Sequence, residues 1–284
     1  MKTMFVVGRP LLMQCSAHLT IMHQLKPLLA AFAYALLLGA QAQTTQQVVD
    51  LPTRPGVTQR MLVLTPPAPK AAVVLLAGGH GGLQIFPNGS MRWGEGNFLV
   101  RSRQLFADQG LTVAVVDAPS DRQSSPYLQG FRDAPAHAAD LKAVMAWLRG
   151  NGHATVWLVG TSRGTQSAAY VATELDGAGG PDGIVLSSTI LTDRRSRPVP
   201  MLPLEKLRIP VLVVHHEQDG CWLCAYSEIP ALMAKLAATP RSHLLSFKGG
   251  DSRGDPCEAF AHHGFNGQEA EVVQQTAAWM LAKP

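Results

Sequence analysis

The stretch VWLVGTSRGTQSAAYVA, residues 156–172, decides how this chain is read. It begins as an apolar, β-branched run, turns through Gly160-Thr161-Ser162-Arg163-Gly164 and continues in small residues. The apolar run reads as a buried strand and the small residues as a helix packed close to a sheet. A Gly-x-Ser-x-Gly turn between strand and helix forces its serine into strained backbone geometry. Side chains at the two glycine positions would collide with the neighbouring chain. The same turn sets the Arg163 N–H at a helix N-terminus, where it can donate to a developing oxyanion. A serine hydroxyl is nevertheless a poor nucleophile near neutral pH; it needs a base, and the base needs an acid to orient it. The motif alone does not separate a nucleophile from a turn serine.

Working outward, strand and helix signals alternate along the whole chain after residue 43. QQVVDL and QRMLVLTPP read as opening strands, and AAVVLLAGG (71–79) as a buried strand followed by a glycine-rich loop. Helical spacing runs through NFLVRSRQLFADQG (97–110), with Gly110 as its stop. Strand 111–119 precedes a helix at about 136–149, and strand 154–160 precedes the helix after Ser162. Strands 183–189, 210–216 and 243–247 follow, with helix EIPALMAKLAA before the last of them and GQEAEVVQQTAAWMLAK closing the chain. Such alternation predicts a mostly parallel sheet covered by helices on both faces, in one domain spanning 43–284.

Partners for Ser162 lie downstream in the order serine, acid, histidine expected on this architecture. PVLVVHHEQDGC carries Asp219 in the loop after a buried strand, with Glu217 as a nearby rival. AHHGFNGQ places His262 and His263 in the loop before the final helix. All lie beyond strand C-termini, where open α/β sheets place their sites. His215 and His216, adjacent at a strand end, point to opposite faces and read as packing residues rather than metal ligands.

Charge argues against nucleic acid. The formal net charge is +4, but residues 1–42 hold Lys2, Arg9 and Lys26 and no acid, leaving 21 basic against 20 acidic residues. No basic cluster with interleaved aromatics is present. The N-terminus reads as an export segment: Met22 starts a short region with Lys26, an apolar core from Pro27 to Leu38, and Ala40-Gln41-Ala42 before Gln43. Residues 1–21 read as an upstream extension, and the expected location is periplasmic or secreted. The apolar core is too short for the roughly 20 residues that span a bilayer, so no stable membrane anchor is expected. Cleavage after Ala42 removes Cys15 and leaves Cys221, Cys224 and Cys257, which suggests one disulfide and one spare thiol.

Over residues 50–284 the chain resembles the α/β-hydrolases. GNFLVRSR, DAPSDR, VWLVGTSRGT, HHEQDGC and PCEAFAHHGF are similar to stretches of a group of predicted exported bacterial hydrolases. The resemblance implies an α/β-hydrolase fold with Ser162 as nucleophile, Asp219 as acid and His263 as base. It favours His263 over His262 because Gly264 follows it ahead of the last helix. AGGHGG departs from the family's plain His-Gly turn, leaving the second oxyanion donor between the Gly79 and His80 N–H groups, with Gly79 favoured. The short connection over 190–209 implies a small lid or none.

A Cys221–Cys257 disulfide would tie the loop of Asp219 to the loop of His263, with Cys224 as the competitor. The Cys-x-x-Cys spacing of CWLC lacks the context of a redox protein. The expected substrate is a short-chain carboxylic ester, with no cofactor and no metal. A peptidase or amidase with the same triad, or a binding protein on a hydrolase fold, are the alternatives. Trp93 and Phe98 are candidates to line a pocket, as is Met91, and Arg253-Gly254-Asp255 reads as a turn.

Overall fold

A computed structural model describes residues 1, 3, 43–175, 177 and 179–282. The export segment, Met22 to Ala42, and Cys15 lie outside the described residues. Residues from Thr44 onward fall into one compact unit.

Eight strands form one sheet: β1 (Thr45–Arg54), β2 (Val57–Thr65), β3 (Ala71–Leu76), β4 (Leu111–Val116), β5 (Val156–Thr161), β6 (Gly183–Ser187), β7 (Val211–His216) and β8 (Ser242–Phe247). Their spatial order is β1-β2-β4-β3-β5-β6-β7-β8. β1 and β2 pair antiparallel, as do β2 and β4, and the rest are parallel. Strands β3 to β7 are buried along their whole length, which explains why they are mostly apolar, and in β3 unbroken Ala, Val and Leu. Edge strands β1 and β8 are only partly buried and carry the polar residues Gln46, Gln47 and His243.

The helices are α1 (Phe98–Arg101), α2 (Arg103–Asp108), α3 (Pro135–Gly150), α4 (Gly164–Glu174), α5 (Ile229–Lys235) and α6 (Glu269–Leu281). The helix expected over 97–110 is divided because Ser102 leaves helical geometry (φ −92°, ψ 2°). Its stop holds, with Gly110 at φ +85°. Alternate residues of β3 enter opposite cores. Ala72, Val74 and Leu76 meet α3, α4 and α5, whereas Val73 and Leu75 meet α1, α2 and α6. No helix among the described residues is long and apolar enough to cross a membrane.

The order β4-β3-β5 means that the chain leaves β3 toward one side and returns on the other. The loops beyond the C-termini of β3 and β5 therefore splay apart, which opens a crevice at that point. Gly78, Gly79 and Ser162 are among the residues that border it. The β6–β7 connection contributes Val199, Leu202, Leu204 and Leu207 to the core, and none of its residues lines the crevice.

Candidate active site

Ser162 follows the last residue of β5 and takes φ +52°, a left-handed conformation that costs a residue with a Cβ about 1–2 kcal/mol. Its N–H donates to the Ser187 carbonyl of β6 (2.9 Å), and its carbonyl accepts from the Thr165 hydroxyl and N–H in the first turn of α4. A Cβ on Gly160 would fall onto the Gly164 carbonyl, and one on Gly164 would enter the Leu76 carbonyl. Both glycines of the motif are thus required by close backbone approach, as expected from the sequence.

The loop after β7 carries Asp219. Its Oδ1 accepts from the Cys221 N–H (2.9 Å), and its Oδ2 lies 2.9 Å from His263 Nδ1. Both side chains are buried. A carboxylate so placed fixes the imidazole with Nδ1 protonated and leaves Nε2 as the free ring atom. His263 Nε2 is buried and has no hydrogen-bond partner among the described residues. Ser162 and His263 line one cavity of about 540 Å³ without a direct hydrogen bond between them. The His263 loop is pinned twice: Ser188 Oγ donates to the His263 carbonyl (2.7 Å) and Arg101 donates to the Gly264 carbonyl (2.7 Å).

The rivals sit elsewhere. Glu217 pairs with Lys248 (3.0 Å), and His262 donates from Nδ1 to the Gln218 carbonyl while stacking on His216 at 4.4 Å. His215 and His216 are fully buried and donate from Nε2 to the carbonyls of Cys224 (2.7 Å) and Gly249 (2.9 Å). Burial lowers the pKa of both. The structure thus distributes the two His-His pairs to separate tasks.

Cys221 and Cys257 form the disulfide, joining the two loops. Cys224 is a buried free thiol that donates to the Ser188 carbonyl (3.3 Å), and burial pushes its pKa well up. Among the described residues Cys221, Cys224 and His263 are the one group whose ligand atoms come together, within 4.8 Å. The Cys221 sulfur is already bonded to Cys257, and His263 Nδ1 is held by Asp219.

Gly79 (φ +55°) lines the cavity beneath the Trp93 indole; a Cβ there would come within 2.6 Å of the ring. The His80 ring is stacked between Trp93 and Tyr127, 3.8 Å and 4.3 Å centroid to centroid, and His80 is not among the residues lining the cavity. The amides of Gly79, His80 and Arg163 donate to no group among the described residues. The Arg163 side chain pairs with Asp193 (2.7 Å) and donates to Ser196 Oγ. Trp93 and Phe98 do line the cavity, whereas Met91 lies in the core.

The sequence reading missed the rim at residues 253–260. Arg253, Gly254 and Asp255, read as a plain turn, line the cavity mouth together with Glu258 and Phe260. The one hint was Cys257, whose bond to Cys221 folds this segment back over Ser162.

No family model and no curated protein matches the chain. Solved structures do. An esterase of Pyrococcus furiosus superposes with TM-score 0.62 at 14% identity, covering 84% of this chain and 91% of that one. A dienelactone hydrolase from Anabaena variabilis gives 0.58 at 16% identity, covering 84% and 98%. An α/β serine hydrolase without lid from Xanthomonas campestris gives 0.52 at 15%, covering 86% and 99%. At such identities the likeness speaks to architecture, and it agrees with the strand order and connections described above: the chain has the α/β-hydrolase fold.

Proposed function

We propose that this chain is an exported serine hydrolase that cleaves carboxylic esters through an acyl-enzyme. One observation carries the reading. A left-handed Ser162 shares a cavity with a buried His263 whose Nδ1 is held 2.9 Å from Asp219 and whose Nε2 is unpartnered among the described residues. In the proposed cycle His263 Nε2 takes the Ser162 proton as Oγ bonds to the ester carbonyl carbon. The N–H groups of Arg163 and Gly79 hold the resulting oxyanion. Asp219 keeps His263 in the correct tautomer and stabilises its charged form. The carbon–alkoxy bond then breaks, with the proton passing from His263 to the departing alcohol. Water activated by the same base releases the acid and restores Ser162.

Support for small esters comes from the cavity volume of about 540 Å³, which suits a small ligand, and from the absence of the β6–β7 connection from its wall. The names of the structural neighbours, an esterase and a dienelactone hydrolase, agree with hydrolysis of such bonds. Export is supported by the segment ending at Ala42 and by a disulfide, which persists in oxidising compartments. The reading is tested with a fluorophosphonate probe on the purified protein, Ser162→Ala and His263→Ala. Labelling at Ser162 that is abolished by the first substitution and sharply reduced by the second is expected. A folded wild type that takes no label would sink the acyl-enzyme mechanism.

A further inference from the structure

Arg132 is buried (5% exposed) in the segment between β4 and α3, and no carboxylate pairs with it among the described residues. Its guanidinium is spent on three neutral oxygens instead. Nη2 donates to the carbonyls of Ala77 (3.0 Å) and Gly79 (3.2 Å), and Nη1 donates to Ser167 Oγ (3.0 Å). A solitary buried cation is expensive unless its donors are well satisfied, so this placement calls for a reason.

We infer that Arg132 is a positioning residue for the oxyanion site, cross-linking the two segments that supply its donors. The inference rests on the hydrolase reading above. The Gly79 N–H belongs to the peptide plane between Gly78 and Gly79. Arg132 holds the carbonyl of the plane before it (Ala77) and of the plane after it (Gly79). Two consecutive glycines have more backbone freedom than any other pair, and clamping both flanking planes removes the freedom to swing that N–H away. The other donor, the Arg163 N–H, precedes α4, and Ser167 lies in the first turns of that helix. One planar fork therefore sets the distance between the β3 loop and the α4 N-terminus. Lysine, a point charge, has no such fork. Gly81 fits the arrangement, since a Cβ there would come within 2.6 Å of Arg132 Nη2.

The test compares wild type, Arg132→Met, Arg132→Lys and Ser167→Ala, normalised by fluorophosphonate titration of active sites. Hydrolysis of p-nitrophenyl acetate gives kcat and KM, and a trifluoromethyl ketone reports on oxyanion binding. Arg132→Met should lower kcat by about 10²-fold, the scale of one lost oxyanion donor, with KM within threefold. Affinity for the ketone should fall in parallel. Lysine should restore only part of the loss, and added guanidinium should raise the rate of Arg132→Met. Ser167→Ala, which removes the helix link to Arg132 together with the Ser167–His137 hydrogen bond, should lower kcat by about tenfold by misplacement of the second donor, and His137→Asn, which leaves the Arg132 link in place, should not. A folded Arg132→Met with kcat and ketone affinity within threefold of wild type would overturn the inference. Should that variant not fold, an unchanged Ser167→Ala overturns it equally. A wild type without label or activity instead overturns the hydrolase reading, and the inference with it.

Discussion

Replacing Cys221 and Cys257 together by alanine is the perturbation whose size the structure predicts most directly. Both must go, because Cys224 lies within 4.8 Å of Cys221 and would offer the remaining sulfur a new partner. The bond closes a loop with a sequence separation of 36. Chain entropy for that length gives the unfolded state a loss of about 13 cal/mol/K, or about 4 kcal/mol at 25 °C. The variant should therefore unfold in urea with a free energy about 4 kcal/mol lower, and the wild type in reductant should approach it. For a two-state transition the midpoint difference multiplied by m gives this value, provided m is unchanged. A difference below about 1 kcal/mol at constant m would refute the reasoning. It would mean that β7, β8 and their hydrogen bonds already hold the two loops as tightly as the covalent link does.

Other outcomes follow from single contacts. His137 is buried against Arg132 and Ser167, and burial first, then the Arg132 charge, presses its pKa down from 6.5 to about 3. The unfolded chain binds this proton between those values and the folded chain does not. The stability held above pH 6.5 is thus lost toward pH 3, at up to about 1.4 kcal/mol per unit. Urea melts between pH 4 and 8 should show this slope, reduced in His137→Asn. Gly164→Ala drives a Cβ into the Leu76 carbonyl and should cost at least about 2 kcal/mol in thermal melts, with loss of labelling at Ser162. Gly79→Ala meets both the positive φ and the Trp93 ring, and should lower kcat/KM at least tenfold while the melting temperature falls by only a few degrees. Asp219→Asn should lower kcat by about 10⁴-fold with the fold intact, because an amide favours the wrong tautomer of His263.

The central strands were legible because burial on both faces favours apolar residues, and the runs at 71–76 and 156–161 carry no polar residue before Thr161. The glycines around Ser162 were legible for a related reason: their absent side chains are demanded by backbone contact. The loops of Asp219 and His263, which the structure brings together, could be picked out from their order along the chain. Choosing between His262 and His263, adjacent in sequence, turns on which way a single turn at His262–Gly264 faces, and there only the resemblance gave a preference. Arg132 left no trace of its role. It sits in GFRDAPAH with no periodic pattern around it, and its three acceptors come from the loop after β3 and from α4, remote in sequence. The split of the 97–110 helix was equally invisible, since Ser102 lies in a segment whose apolar spacing continues on both sides.

Placed side by side, the sulfur bridge and the Asp219–His263 hydrogen bond make a closed ring out of two loops that belong to different parts of the chain. A ring of this kind converts independent thermal excursions of its two arms into a shared one. When the loop after β7 rocks, the segment leading to His263 is carried with it, so the donor–acceptor distance is insulated from motions that displace both. Among the described residues no hydrogen bond reaches His263 Nε2, so the ring faces Ser162 only across the cavity, while the neighbouring Ser187 and Ser188 hold the Ser162 N–H and the His263 carbonyl from one segment.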